Sequence, residues 1–282
     1  MRPGPRVLAL GIAQDGGMPQ AGCACGHCSA AWEGRIPKAR VSAVAVVDPT
    51  RRAAWMIDAT PDFPAQLRHL REMEPEAELR GLFLTHAHVG HYTGLVHLGR
   101  EAMNARGLPV GATASCLDFL RRHGPWSQLV ALGNVVLQPL AAGAALRLTD
   151  DLEIEPVAVP HRAEFSDTLA FGIRGPSRSL FYCPDIDRWE DWRAGAREFL
   201  GRFDTAWIDG TFYSPEEWPQ RDRNEIPHPP VTRSVELFRG LQTAIRFLHL
   251  NHSNPLHLDS PERTGLRALG FDVVREGETV EL

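Results

Sequence analysis

Short apolar runs alternate along this chain with turns marked by Gly and Pro, and segments with helical spacing of apolar residues lie between them. Apolar runs bounded by turn residues predict β-strands, whereas apolar residues three and four apart predict amphipathic helices. The pattern predicts strands over 7–12, 41–48, 54–58, 81–85, 152–159, 169–173, 179–183, 206–209 and 243–250. It predicts helices over 64–72, 93–105, 231–240 and 262–269.

The predicted elements form two β-rich halves, each with its own helices. Such halves are typical of an α/β protein in which two sheets pack face to face and helices cover them on the outside. A length of 282 residues suits one large domain, and no repeat or linker divides the chain. We therefore expect a single domain over 1–282, with a Cys-rich metal loop at 14–34.

Polar residues fall at or just after the ends of several predicted strands. Strand ends and their loops are the places where a rigid scaffold presents chemistry, and packing alone gives no reason for such a repeated pattern. The residues at these positions are Asp58, His86, His161, Asp185, Asp209 and His249.

Three histidines lie within the segment 86–91. His86 and His88 are two residues apart, so in an extended chain they point to the same side, and the Gly90 turn lets His91 fold back towards them. Neutral imidazole is a good ligand for Zn, Fe or Mn. A surface loop that merely carries histidines is the alternative, but the strand before and the helix after favour a metal-binding loop.

Three of the five cysteines, Cys23, Cys25 and Cys28, lie within six residues. An odd count with this spacing indicates a metal site in a reducing compartment rather than a disulfide framework. A closed structural zinc site needs a fourth ligand, and His27 is too close in sequence to be a good one. Three reduced cysteines without a metal are the alternative.

Composition narrows the classes of partner. The formal net charge of −5 argues against a nucleic-acid partner. No run approaches the roughly 18 apolar residues that cross a bilayer, and the apolar run near the start is too short for a signal core. We therefore expect a cytoplasmic protein with a small-molecule substrate and no membrane partner, and a homodimer stays open.

The segment 85–95 resembles the HxHxDH signature of the metallo-β-lactamase superfamily. The resemblance runs over most of the chain and implies a four-layer αββα sandwich with the metals at one edge. It implies that Asp58 supports the metal loop and that His161 is the next ligand. It further implies that Asp185 is the carboxylate shared by two metals and that His249 is the last ligand.

Within the superfamily, two groups are most similar to this sequence. The cysteine triple and residues 16–20, 92–95, 209–212 and 251–255 are similar to the pyrroloquinoline-quinone biosynthesis B proteins (PqqB). The cysteine triple and two histidines three apart are similar to the PhnP-like phosphodiesterases, which implies His252 as the fourth ligand of a structural zinc. Related phosphodiesterases also imply His228 as a general acid, with a turn histidine as the alternative. Asp209 is either a hydrogen-bond partner of a ligand histidine or a turn residue.

Gly90 departs from the signature, because the superfamily has an Asp there that binds the second metal. His86, His88 and His161 remain as a complete first site. The second site would keep only His91, Asp185 and His249, so we expect it to bind its metal more weakly. One or two catalytic ions of Zn, Mn or Fe are therefore expected beside the structural zinc.

These features predict a metallo-hydrolase that uses metal-bound hydroxide on a phosphodiester, another small ester or a lactam. Without an Asp at position 90, Asp185 is the best carboxylate to orient the water. The PqqB resemblance implies an alternative, an iron-dependent oxygenase that hydroxylates a biosynthetic precursor. A non-catalytic carrier or binding protein on the same scaffold is the third hypothesis.

Overall fold

The computed structural model describes residues 4–192, 195–217 and 227–282. The strands are β1 (Arg6–Gly11), β2 (Ala43–Asp48), β3 (Ala53–Ile57), β4 (Glu78–Phe83), β5 (Leu108–Ala112), β6 (Val135–Pro139), β7 (Leu146–Arg147), β8 (Glu153–Val159), β9 (Thr168–Arg174), β10 (Ser179–Cys183), β11 (Thr205–Asp209), β12 (Ala244–Leu248), β13 (Asp272–Val273) and β14 (Thr279–Glu281). The helices are α1 (Gly26–Trp32), α2 (Phe63–Met73), α3 (Val89–Tyr92), α4 (Ala114–Arg122), α5 (Trp126–Ala131), α6 (Ala196–Leu200), α7 (Val231–Phe238) and α8 (Pro261–Ala268). Short 3₁₀ helices cover Thr93–Leu98, Trp189–Asp191 and Pro255–His257.

The strands form two seven-stranded mixed sheets. The first has the order β14-β1-β2-β3-β4-β5-β6, and its strands from β3 to β6 are parallel. The second has the order β13-β12-β11-β10-β9-β8-β7, and its strands from β10 to β13 are parallel. Parallel strands end at the same edge of a sheet, so each sheet presents several strand ends together.

Alternation along the strands divides the apolar residues into layers. In β1, Val7 and Ala9 face the second sheet, whereas Leu8 packs with residues of α2 and α4. On the other sheet, Phe181 packs with residues of α6 and α7. Successive side chains of a strand point to opposite faces, and both faces of these strands are buried, which explains the continuous apolar runs. The predicted four-layer αββα sandwich is confirmed.

One predicted helix is wrong. Residues 93–105 were expected to be one helix, but a 3₁₀ helix ends at Leu98 and turns follow. Gly94 lies so close to the neighbouring loop that a Cβ there would be 2.1 Å from the Thr60 carbonyl oxygen, and Gly99 leaves the helix with extended backbone. The conformation of this segment therefore depends on contacts with distant parts of the fold. The spacing of apolar residues carries no information about those contacts.

The spacing also missed several elements that follow in the chain. These are β5, β6, α4 and α5. Within the described residues, no helix is both long and apolar enough to cross a membrane.

Candidate metal centre

The first cluster joins the two histidines that follow β4 to the histidine that follows β8. His86 Nε2 lies 2.8 Å from His88 Nδ1, which lies 3.2 Å from His161 Nε2. Ligands about 2.0–2.2 Å from a tetrahedral zinc lie about 3.3–3.6 Å from one another, so three such nitrogens can share one ion. Burial lowers the pKa of His86 well below its usual value and also lowers the pKa of His88, which favours the neutral form that binds metals.

Polar partners outside this cluster hold the rings. Thr85 Oγ1 lies 3.0 Å from Nδ1 of His86, and Glu164 Oε2 lies 2.8 Å from Nε2 of His88. Asp187 Oδ1 lies 2.8 Å from Nδ1 of His161, which leaves Nε2 of that ring facing the cluster. Asp187 was not predicted from the sequence, although its place two residues after Asp185, in the segment that follows β10, was a usable signal. Carboxylates in this position fix the orientation of a ligand imidazole.

The second cluster contains four ligand atoms rather than the three expected. His91 Nε2 lies 2.9 Å from Asp185 Oδ2, which lies 3.2 Å from His249 Nε2. Asp15 Oδ1 lies 3.2 Å from His91 Nε2 and 3.4 Å from His249 Nε2. The structure thus brings together the three expected residues, His91, Asp185 and His249, and adds Asp15 to them. Asp15 lies three residues after the first predicted strand and was not among the strand-end residues singled out from the sequence.

Asp185 lies between the two clusters. Its Oδ2 faces the second cluster, whereas its Oδ1 lies 3.8 Å from Nε2 of His161 in the first. His91 Nε2 and Asp185 Oδ2 are both buried and have no hydrogen-bond partner of normal geometry in the part of the chain that the structure describes. Buried polar atoms are rarely left so, and a cation between them would satisfy both. The donor set therefore fits two metal ions that share Asp185.

The charge balance at the second cluster also favours a cation. Burial alone would lower the pKa of His91, but the Asp58 and Asp185 carboxylates raise it well above its usual value. Burial acts to raise the pKa of Asp15, but its close contacts with His249 and His91 hold it well below its usual value. Three carboxylates thus surround the buried His91 ring, and such an arrangement favours positive charge at the second cluster.

Asp58 contacts the segment that carries the three histidines, the place that the resemblance implied for it. Its Oδ1 accepts hydrogen bonds from the Thr85 backbone N–H at 2.8 Å and from the Thr85 hydroxyl at 3.0 Å. Its Oδ2 lies 2.7 Å from His91 Nδ1. The residue is fully buried and has a left-handed φ of 71°, and His249 has one of 61°. Left-handed backbone is unfavourable for such residues, and it persists where packing and hydrogen bonds hold a functional geometry.

Asp209 and His228 form a pair beside both clusters. Asp209 Oδ2 lies 2.6 Å from His228 Nδ1 and accepts a hydrogen bond from the backbone N–H of Ile186. The His228 ring centroid is 5.6 Å from that of His161 and 5.9 Å from that of His249. Asp209 therefore contacts His228 rather than a ligand histidine, whereas Thr211 Oγ1 contacts Nδ1 of His249 at 2.9 Å.

The three clustered cysteines meet the second histidine of the C-terminal pair. Cys25 Sγ lies 3.4 Å and Cys23 Sγ 3.7 Å from His252 Nδ1, and Cys28 completes a group whose ligand atoms all lie within 4.8 Å of one another. The Cys25 thiol accepts a hydrogen bond from the backbone N–H of Cys28 at the start of α1. Although burial acts in the opposite direction, such hydrogen bonds lower the pKa of Cys25, which favours a thiolate. We call these four residues the Cys₃His cluster.

Comparison with known proteins shows which proteins this chain is similar to. The family model described as "Beta-lactamase superfamily domain" matches residues 55–252. Coenzyme PQQ synthesis protein B of Nitrosococcus oceani is 28% identical, with 98% of this chain and 99% of that protein aligned. The protein of the same name from Azotobacter vinelandii is 27% identical over 98% of this chain and 99% of its own.

Solved structures share the fold over nearly the whole chain. The Zn²⁺-bound PqqB of Methylobacterium extorquens has a TM-score of 0.85 at 24% identity, covering 98% of this chain and 100% of that one. A diphosphatase of the PhnP family has a TM-score of 0.70 at 22% identity, covering 99% and 97%. Both resemblances proposed from the sequence are thus matched by similar proteins.

Proposed function

Because this chain belongs to the β-lactamase superfamily, we propose that it is a metal-dependent hydrolase that cleaves a small phosphodiester or another small ester. The observation that carries the proposal is the position of Asp185, whose two oxygens face two different histidine clusters. A metal ion held there would lower the pKa of a coordinated water and polarise an oxygen of the substrate.

The first ion would be held by His86, His88 and His161, and Asp185 would be shared with the second. Three protein ligands at such an ion would leave one coordination position open for water or substrate. Asp185 also orients the attacking water, whose oxygen forms the new bond to the substrate as the bond to the leaving oxygen breaks. A phosphodiester is favoured because one structural neighbour is a diphosphatase of the PhnP family.

His228 is proposed to give the leaving oxygen its proton. Asp209 contacts Nδ1 of this ring at 2.6 Å, so Nε2 is the nitrogen left to act on the substrate. The ring lies beside both His161 and His249, within reach of a group bound between the two clusters. Asp209 is the positioning residue for His228, because it fixes the orientation and tautomer of the ring.

Metal removal and reloading test the hydrolase proposal. Chelator-treated protein is expected to lose hydrolysis of bis-p-nitrophenyl phosphate and to regain it with Zn²⁺ or Mn²⁺, because the proposed reaction depends on the metal to activate water and polarise the substrate. Turnover is followed by p-nitrophenolate absorbance, and bound metal by elemental analysis. Fully reloaded protein that hydrolyses no phosphodiester or carboxylic ester would contradict the proposal and favour a carrier or binding protein.

An iron-dependent oxygenase in cofactor synthesis is the second candidate. The 28% identity to Coenzyme PQQ synthesis protein B over almost the whole chain favours it. Histidine and carboxylate ligands with open positions also suit Fe(II). Iron retained on anaerobic purification, together with turnover that consumes O₂, would support this candidate over the hydrolase.

His228→Gln is expected to lower turnover in a way that depends on the leaving group. The loss should be about 10²–10⁴-fold for diphenyl phosphate and less than about tenfold for bis-p-nitrophenyl phosphate, since p-nitrophenolate departs without a proton. The measurement is kcat on the two substrates, with metal content as the control for an intact centre. An equal loss on both would assign His228 to positioning instead.

A further inference from the structure

We infer that Asp15 is a ligand of the second metal ion and takes the position that the superfamily fills with a carboxylate at residue 90. The second site is then complete in this chain, with one ligand moved from the histidine loop to the segment after β1. This inference deepens the proposed function, because it concerns the same centre. It is independent of the substrate and of the reaction.

The distances around Asp15 are those of a ligand. Its Oδ1 lies 3.2 Å from His91 Nε2 and 3.4 Å from His249 Nε2. These separations match the spacing of about 3.3–3.6 Å between atoms that share one tetrahedral zinc. Asp15 is therefore close enough to join His91, Asp185 and His249 around one cation.

Gly90 provides the second, independent observation. A Cβ added at Gly90 would lie 2.4 Å from Asp15 Oδ1 and 2.8 Å from Asp15 Cα. Carbon and oxygen atoms that are not bonded do not approach so closely, so a side chain at 90 and the Asp15 carboxylate exclude each other. The glycine is thus the condition under which Asp15 reaches the second cluster.

The segment that carries Asp15 is fixed by the surrounding backbone. Gln14 N–H donates to the Leu250 carbonyl at 2.9 Å, which ties the segment to the residue after His249. Gly17 N–H donates to the Gln14 carbonyl at 2.7 Å, so a turn follows Asp15 directly, and Gly17 has a left-handed φ of 66°. A preorganised carboxylate loses little conformational freedom when it binds an ion.

Titration with Mn²⁺ tests the inference. Mn²⁺ prefers nitrogen and oxygen ligands to thiolates, so its electron paramagnetic resonance signal counts the histidine–carboxylate sites without the Cys₃His cluster. Wild type is expected to bind two Mn²⁺ per chain. Asp15→Asn keeps the shape of the side chain and removes its charge. It should weaken one of the two ions by about 100-fold or more, beyond the roughly 10–100-fold effect of a lost outer partner.

Gly90→Ala provides the second arm and removes no ligand. Its methyl group should push Asp15 away from its position and weaken the same ion by about tenfold or more, at least the effect of disturbing a ligand's surroundings. Asp118→Asn makes the matched change at an exposed position on α4 and should bind both ions as wild type does.

Three results would overturn the inference. They are a wild type with one Mn²⁺ site, an Asp15→Asn variant that binds both ions normally, and a Gly90→Ala variant with two unchanged sites. A single-site wild type that still hydrolyses bis-p-nitrophenyl phosphate would leave the hydrolase proposal standing on one metal. Failure of the inference is therefore distinguishable from failure of the proposed function.

Discussion

Asp185→Asn should abolish most of the proposed hydrolysis, with a loss of at least about 10³-fold in kcat/KM, well beyond the roughly 10–100-fold loss from removing an outer-shell partner. Asp185 is buried, and its Oδ2 lies 2.9 Å from His91 Nε2 and 3.2 Å from His249 Nε2. The amide keeps the volume but removes the negative charge that both ions would share. Each ion then loses affinity, and the orienting group for the attacking water is lost.

The measurement separates chemistry from folding. Turnover, bound metal and the thermal unfolding midpoint are compared with those of wild type, and Asp191→Asn provides the same change of side chain at an exposed position nearby. If Asp185 binds no metal, its replacement by Asn should leave the metal content unchanged. Normal metal content with normal turnover in Asp185→Asn would therefore reject a shared carboxylate.

Cys25→Ser should lower the free energy of unfolding by about 3–5 kcal/mol in zinc-containing buffer, because binding free energy at a structural zinc site contributes directly to folding. Cys25 and His252 lie in distant parts of the chain, and Cys25 Sγ is 3.4 Å from His252 Nδ1. An ion bound there would hold these two parts of the chain together in the folded protein. The unfolded chain does not bring the ligands together, so the ion stabilises the folded state. Serine keeps a hydrogen-bond acceptor at the start of α1 but is a poor zinc ligand.

Urea denaturation with and without added zinc measures this effect. Ala24→Ser is the matched control, because it places serine at an exposed position in the same segment and leaves the ligands in place. Its unfolding free energy should stay within about 0.5 kcal/mol of wild type. Equal stability of Cys25→Ser and wild type, with equal zinc content, would show that the cysteines are simply reduced thiols.

The pattern of neighbouring residues along the chain was sufficient to predict the features that depend only on neighbouring residues. Strands buried on both faces need continuous apolar runs, so the layers of the sandwich could be predicted from the sequence. His86 and His88 share a side because successive residues of an extended chain alternate, and three cysteines within six residues are adjacent in any fold. These groups were recognisable before any tertiary contact was known.

Tertiary structure decided which distant residues complete each cluster. Gly90 looked like the loss of a ligand, and only the approach of the segment after β1 shows that Asp15 fills that space. Asp187 and the 3₁₀ helix over Thr93–Leu98 were likewise missed, because a contact partner across the fold sets each of them. Sequence spacing encodes the direction of a side chain along its own element, whereas the distance between elements arises only when the sheets pack.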